Sequence, residues 1–219
     1  MRDYHAVIFD WDGTLCNSAM QVVTAMQHAA KDLCLPLPTE KEVLRGTGLS
    51  FESAVTQLFP DLKLEVINHY YARFSHYFYD SQYSLIMFEG VDNTLRDLQQ
   101  KKYKLAIATG RRRKTLDLEL NESAIGNFFT TSRCADETQS KPHPQMLFEI
   151  LDELKISPRQ ALMVGDTEYD ILMANAAGVD ALAVSYGVHD SQVLQQHKIK
   201  GIITDIREII PWLENYSKT

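Results

Sequence analysis

Ala6-Val7-Ile8-Phe9-Asp10-Trp11-Asp12-Gly13-Thr14-Leu15 is an apolar run that stops abruptly at two carboxylates. Four apolar residues followed by polar ones read as a buried strand and its exit. The strand delivers Asp10 to the carboxyl end of a sheet, where open α/β sheets bind their ligands. Two carboxylates one residue apart make poor packing. They suit a nucleophile and a proton donor around one metal ion.

Alternating strand and helix signals fill the chain from residue 90 onward. Asp92 can cap a helix through Leu95 and Leu98 to Lys102. Leu105-Ala106-Ile107-Ala108 reads as a buried strand ending at Thr109-Gly110, and a polar helix follows over Arg112 to Leu120. Phe128-Phe129-Thr130-Thr131 is read as a short strand. Pro144 opens a helix through Leu147, Ile150 and Leu154, and Ser157-Pro158-Arg159-Gln160 has capping-box spacing. Ala161-Leu162-Met163-Val164 is a further buried strand ending at Gly165-Asp166, with a helix to Gly178 behind it. Ala181 to Val184 and Gly201 to Ile203 complete the set. Repeated βα units imply a parallel sheet covered on both faces.

Residues 16 to about 85 differ, being almost wholly helical in pattern. Helices are expected from Ser18 to Leu33, after the capping box Thr39-Glu40-Lys41-Glu42, from Ser50, and over Leu64 to Tyr79. In the last of these Ile67, Tyr70, Tyr71, Phe74, Tyr77 and Phe78 recur at helical spacing, as the core of a small bundle does. His69 and His76 read as surface or packing residues. The expected division is therefore 1–15 with 86–219 as an α/β core, and 16–85 as a helical cap above the sheet's carboxyl edge.

The totals bound the function. A chain of 219 residues allows one full core, or a core plus a small second unit, and a net charge of -7 speaks against nucleic-acid binding. The basic cluster of Lys101, Lys102, Lys104 and Arg111 to Lys114 is read as mostly solvated surface. Three cysteines without a Cys-x-x-Cys pair speak against a disulfide frame or zinc, and favour a reducing compartment. No apolar stretch approaches the ~20 residues of a membrane span. A cytoplasmic enzyme, monomeric or weakly dimeric, with no nucleic-acid or membrane partner is expected.

Four strand ends or loops carry matching chemistry: Asp10 and Asp12; Thr109 and Gly110; Lys141; Asp166 and Asp170. On a parallel sheet they converge on one edge. Mg²⁺ on Asp10 and Asp166 would offset the charge of a phosphate ester. Lys141 would hold Asp10 ionised, and the Thr109 hydroxyl with nearby N–H groups would hold phosphoryl oxygens. Asp10 would attack phosphorus, with Asp12 as acid and then base.

These residues resemble the haloacid dehalogenase superfamily. Asp10-Trp11-Asp12-Gly13-Thr14-Leu15 is similar to its first motif, Thr109 to the second, Lys141 to the third, and Asp166 with Asp170 to the fourth. A helical insert between the first two motifs, with Lys141-Pro142-x-Pro144 and Val164-Gly165-Asp166-Thr167, looks like the phosphoglycolate phosphatase-like branch. The resemblance implies a Rossmann-like, doubly wound parallel sheet with an inserted α-helical cap. It implies a Mg²⁺-dependent phosphatase acting on a small phosphorylated metabolite through an aspartyl phosphate. It gives Asp10 as nucleophile and metal ligand, Asp12 as acid/base with its main-chain carbonyl on the metal, and Asp166 as metal ligand. Asp170 either supports the metal through water or orients Lys141, and Thr109 and Gly110 contact the phosphoryl group.

Two departures stand out: Arg111-Arg112-Arg113 after the second motif, and Trp11 between the acids, where a packing role against the cap is expected. Arg111 is a candidate for an anionic substrate. Arg45, in Arg45-Gly46-Thr47-Gly48-Leu49-Ser50, is a second candidate, because this linker occupies the place of the family's specificity loop. A phosphotransferase such as a sugar-phosphate mutase is the alternative. A non-catalytic phosphate-binding module is a more distant one, since no acid is missing. Dehalogenation is disfavoured by Asp12.

Overall fold

The computed structural model describes residues 3–79 and 85–216. Along the chain, β1 (Ala6–Phe9) is followed by four helices, α1 (Ala19–Asp32), α2 (Glu40–Arg45), α3 (Phe51–Leu58) and α4 (Leu64–Phe78). Then come α5 (Val91–Gln100), β2 (Lys104–Thr109), α6 (Arg113–Glu122), β3 (Thr131–Cys134), α7 (Gln145–Leu154) and β4 (Ala161–Gly165). The chain continues through α8 (Glu168–Ala177), β5 (Asp180–Val184), α9 (Ser191–Leu194), β6 (Gly201–Ile203) and α10 (Ile209–Tyr216).

The six strands form one sheet, every pair parallel, in the order β3-β2-β1-β4-β5-β6. The α/β class expected from the sequence is the one observed. Strand order reverses beside β1, so a crevice opens at the carboxyl ends of β1 and β4. Asp10 is the first residue past β1, and its N–H still donates to the Val164 carbonyl at 2.9 Å.

Side chains alternate across the sheet, and each face has its own core. Val7, Phe9, Leu105, Ile107, Leu162 and Val164 pack on one face with Val91, Leu95 and Leu98 of α5, Leu116 of α6 and Leu213 of α10. Ala6, Ile8, Ala106, Ala108, Ala161 and Met163 pack on the other with Met146, Leu147 and Ile150 of α7 and Ile171 of α8. Small alanines on this second face let α7 and α8 lie close to the strands. Each fully buried Leu or Ile contributes about 1.5–3 kcal/mol. Trp11 packs into the first of these clusters, beneath the site, rather than against the helical insert.

Helices α1 to α4 enclose a third cluster of Val23, Met26, Val43, Val55, Ile67 and Tyr70. The Tyr70 hydroxyl donates to the Met26 carbonyl at 2.7 Å, so the one polar atom of that ring is satisfied inside the bundle. The capping box at Thr39 and Glu42 is formed, and Ser50 caps α3. His69 and His76 are exposed.

Two local expectations are corrected. The strand expected at 128–131 begins at Thr131 instead, because Gly126–Phe128 turns as a short 3₁₀ segment and Phe128 and Phe129 pack on the core. Edge strand β3 is therefore polar, as an edge permits. Gly90, with φ 87°, stands at the N-cap of α5, and Asp92 lies in the first turn rather than at the cap.

Candidate active site

After Asp10 the chain folds into a tight turn in which Leu15 and Cys16 both donate to the Trp11 carbonyl, at 3.0 and 2.8 Å. Gly13 takes φ 78° there, and a Cβ on it would lie 2.1 Å from Asp166 Oδ2. Only glycine lets this turn press against the carboxylate at the end of β4. Asp166 is held from two sides: Thr14 Oγ1 donates to Oδ1 at 3.0 Å and the Val188 N–H to Oδ2 at 2.8 Å. Thr167 caps α8 in a reciprocal box with Asp170, whose Oδ2 accepts from the Thr167 N–H and hydroxyl at 3.1 and 2.7 Å.

Lys141 comes from the loop ahead of α7 and is buried. Its Nζ donates to Asp10 Oδ1 and to Asp170 Oδ1, both at 2.6 Å. Asp10 Oδ2 is buried and has no hydrogen-bond partner. Asp10, Asp166 and Asp170 bring carboxylate oxygens within 4.8 Å of one another.

Three buried carboxylates thus face one ammonium. Burial pushes the Asp10 carboxyl well above its ordinary value; Lys141 pulls it back, and Asp170 and Asp166 push it further up. Burial, then the Asp170 charge, lift Asp166 to about 7. Burial works against the charge on Lys141, yet Asp10 and Asp170 hold it above its usual value. The excess negative charge, the all-oxygen donor set and the unpartnered Asp10 Oδ2 fit a hard divalent cation such as Mg²⁺.

Asp12 faces away from this cluster, toward the helical insert. Arg111 grips it as a fork, Nε to Oδ2 at 2.9 Å and Nη2 to Oδ1 at 2.6 Å, and the Ser18 hydroxyl also donates to it. Arg111 Nη1 reaches Glu119 Oε1 at 2.6 Å and the Tyr79 hydroxyl at 2.8 Å. Its guanidinium lies 4.8 Å from the centre of the Phe78 ring. Burial opposes the charge of Arg111, but Asp12 and Glu119 outweigh it. The surface reading of this arginine is therefore corrected: only 8% of its side chain is exposed. Arg112 pairs with Glu52 of α3 and lies 3.7 Å from the centre of the Tyr71 ring.

The linker Gly46 to Ser50 is buried over the site. Ser50 N–H donates to Ser140 Oγ at 2.8 Å, and the Tyr169 hydroxyl donates to the Arg45 carbonyl at 2.9 Å. A Cβ on Gly110 would sit 2.2 Å from the Leu49 carbonyl oxygen, so glycine there sets how closely the linker approaches. Thr109 Oγ1 is buried and accepts from the Arg111 N–H at 3.1 Å.

Asp10, Asp12, Thr109, Gly110, Arg111, Lys141, Asp166 and Asp170 all stand at this edge. Arg45 does not join them. It is exposed and lines a separate depression with Pro36, Leu37 and Phe59. Sequence reasoning missed Glu119, Ser18 and Tyr79. Glu119 carried a faint signal, a carboxylate three residues from Leu116 on the buried side of α6.

The sheet and its acidic edge define a doubly wound α/β enzyme. A sequence model of haloacid dehalogenase-like hydrolases matches residues 7–184, and the chain belongs to that family. It is 28% identical to pyrophosphatase PpaX of Bacillus cereus over 98% of this chain and 99% of that protein. With PpaX of Bacillus pumilus the identity is 31% over 89% of each. A crystal structure described as a predicted phosphoglycolate phosphatase of Haemophilus somnus superposes with a TM-score of 0.86 at 24% identity, covering 96% of this chain and 98% of that one. Among the described residues no helix is long and apolar enough to cross a membrane.

Proposed function

We propose that this hydrolase is a Mg²⁺-dependent phosphatase that cleaves the phosphomonoester of a small metabolite through an aspartyl phosphate on Asp10. The observation that carries the reading is the state of Asp10. One oxygen is anchored by Lys141, and the other is buried and without a partner, ready to form a bond. The name of the PpaX relatives, pyrophosphatase, supports hydrolytic phosphoryl transfer as the chemistry, with an anhydride in place of the ester.

Asp10 attacks phosphorus through its carboxylate, and the alcohol oxygen leaves with a proton from Asp12 once Arg111 has released it. Water then attacks the acyl phosphate, giving a proton back to Asp12 and restoring Asp10. Lys141 keeps Asp10 charged and aimed, and Asp170 in turn orients Lys141. The Thr109 hydroxyl and the backbone at Gly110 hold phosphoryl oxygens. The metal would be held by Asp10, Asp166 and the Asp12 main-chain carbonyl, with Asp170 beside it. When bound it supplies positive charge against the phosphate dianion. Residues 16–85 act as a cap that closes over the bound substrate.

Phosphate release from p-nitrophenyl phosphate, with Mg²⁺ and with chelator, tests this reading. Release is expected with Mg²⁺ only, and Asp10→Asn is expected to lower it by ~10⁴-fold or more. Release that persists in Asp10→Asn would remove Asp10 from the nucleophile's role.

A further inference from the structure

A cavity of about 100 Å³ lies between the helical insert and the site, lined by Asp12 and Gly110 at one part of its wall and by Tyr71 and Phe74 at another. The charged residues among those lining it are Asp12, Arg111 and Arg112. A substrate whose phosphoryl group sits at Thr109 and Gly110 extends its remaining atoms into this space. A benzene ring needs about 150 Å³, so the space takes a group of only a few heavy atoms.

Neighbouring arginines differ in what they have left to offer. All three guanidinium nitrogens of Arg111 donate, to Asp12 and Glu119. Those of Arg113 are also all engaged, as are those of Arg133. Arg112 is the exception. Among the described residues its guanidinium donates from Nη2 alone, to Glu52. Nε and Nη1 have no acceptor there, and with 29% of the side chain exposed they stay reachable.

Glu52 is not part of the cavity wall, and its side chain is 40% exposed. A pair this open to water is worth little, so Arg112 can share or give up Glu52 at small cost. Tyr71 holds the guanidinium in place: its ring centre is 3.7 Å away, and Phe51 packs edge-on against Tyr71 with 5.0 Å between ring centres. A planar cation fixed in advance, with N–H groups to spare, suits the paired oxygens of a carboxylate or phosphate and lowers the ordering cost of binding them.

We propose that Arg112 is a specificity-determining residue that receives a second anionic group of the substrate, a carboxylate or a second phosphoryl group, close to the phosphate that is cleaved. The inference rests on the phosphatase reading and adds the substrate class: small phosphates with a second anion, in preference to those whose remaining part is uncharged.

Two matched pairs of substrates test it on the Mg²⁺-loaded enzyme. In 2-phosphoglycolate a carboxylate stands where ethyl phosphate has a methyl group. In pyrophosphate a second phosphoryl group stands where acetyl phosphate has an uncharged acetyl group. The readout is the ratio of kcat/KM within each pair, for wild type, Arg112→Gln and Glu52→Gln. Intrinsic leaving-group differences cancel when a variant's ratio is compared with that of wild type. Wild type is expected to favour the doubly anionic member by at least ~10-fold in one pair or both, and Arg112→Gln to cut that ratio by ~10- to 100-fold. The pair that responds identifies the anion. Glu52→Gln breaks the same ion pair but keeps Arg112, so its ratio is expected to hold or rise. Arg112→Lys keeps a charge and is expected to retain part of the ratio, which covers a glutamine variant that fails to fold. Three results overturn the inference and leave the phosphatase reading standing: no preference in either pair for wild type, an unchanged ratio in Arg112→Gln, or an equal fall in Glu52→Gln, as a simple clamp between α3 and the start of α6 would give. No phosphate from any of the four substrates removes both.

Discussion

Arg111 decides how the site is wired. Its guanidinium joins Asp12, Glu119 and Tyr79, groups drawn from the turn after β1, from α6 and from the end of α4. Such a pair is costly to desolvate and costly to break. Arg111→Gln leaves Asp12 and Glu119 buried together without a cation. It is expected to lower stability by about 3–5 kcal/mol in urea unfolding and to impair phosphate release, because Asp12 loses its fixed direction. Unchanged stability would mean that the pairing is not maintained in solution. Residues of the acidic cluster were legible from the sequence because each follows an apolar strand. Glu119 and Ser18 were not, since their meaning depends on Arg111 lying next to Asp12 across 99 positions of sequence.

Among the elements, the linker between α2 and α3 does the most for the site. Its backbone, more than its side chains, meets the core: the Leu49 carbonyl at Gly110, the Ser50 N–H at Ser140, and the Arg45 carbonyl at Tyr169. Gly110→Ala puts a methyl group into the Leu49 carbonyl. The linker must then stand off, and kcat/KM is expected to fall by roughly 10²-fold, the scale of a 1 Å misplacement. Thermal stability should change far less, since neither core cluster of the sheet is touched. Activity equal to wild type would show that close approach of the linker is not needed. Helix caps at Thr39, Ser50 and Ser157 were readable because they are local in sequence. The start of β3 was not, because β2 sets it by pairing Ala106 with Thr131.

At the scale of the whole molecule, the site stores charge repulsion that a cation relieves. Asp166 has a folded-state pKa of about 7 in the metal-free protein, against an unfolded value near ~3.9. Between those values the folded state binds a proton that the unfolded chain does not. Stability from this group is therefore fully present below the lower value and falls as pH rises through about 7. Burial and its neighbours raise Asp10 in the same direction. Mg²⁺ binds the deprotonated cluster and offsets the repulsion. The rise in Tm on going from chelator to Mg²⁺ is expected to be larger at pH 8 than at pH 5. An equal or reversed difference at the two pH values would separate the acidic cluster from metal binding.

What the sequence determined by itself is the class of fold and the identity of the residues at the sheet's edge. Strand alternation, helix caps and the abrupt ends of apolar runs are short-range patterns, and a parallel sheet aligns those ends automatically. Tertiary structure alone decided which charges are already matched. Arg111 looked like a cation available to a ligand, and Arg112 like part of a solvated basic cluster. Folding set Arg111 against Asp12 and Glu119 and Arg112 against Glu52, while Arg45 remained outside. Ion pairing inside a protein depends on distance and burial, and for residues this far apart in the chain only the folded packing supplies both.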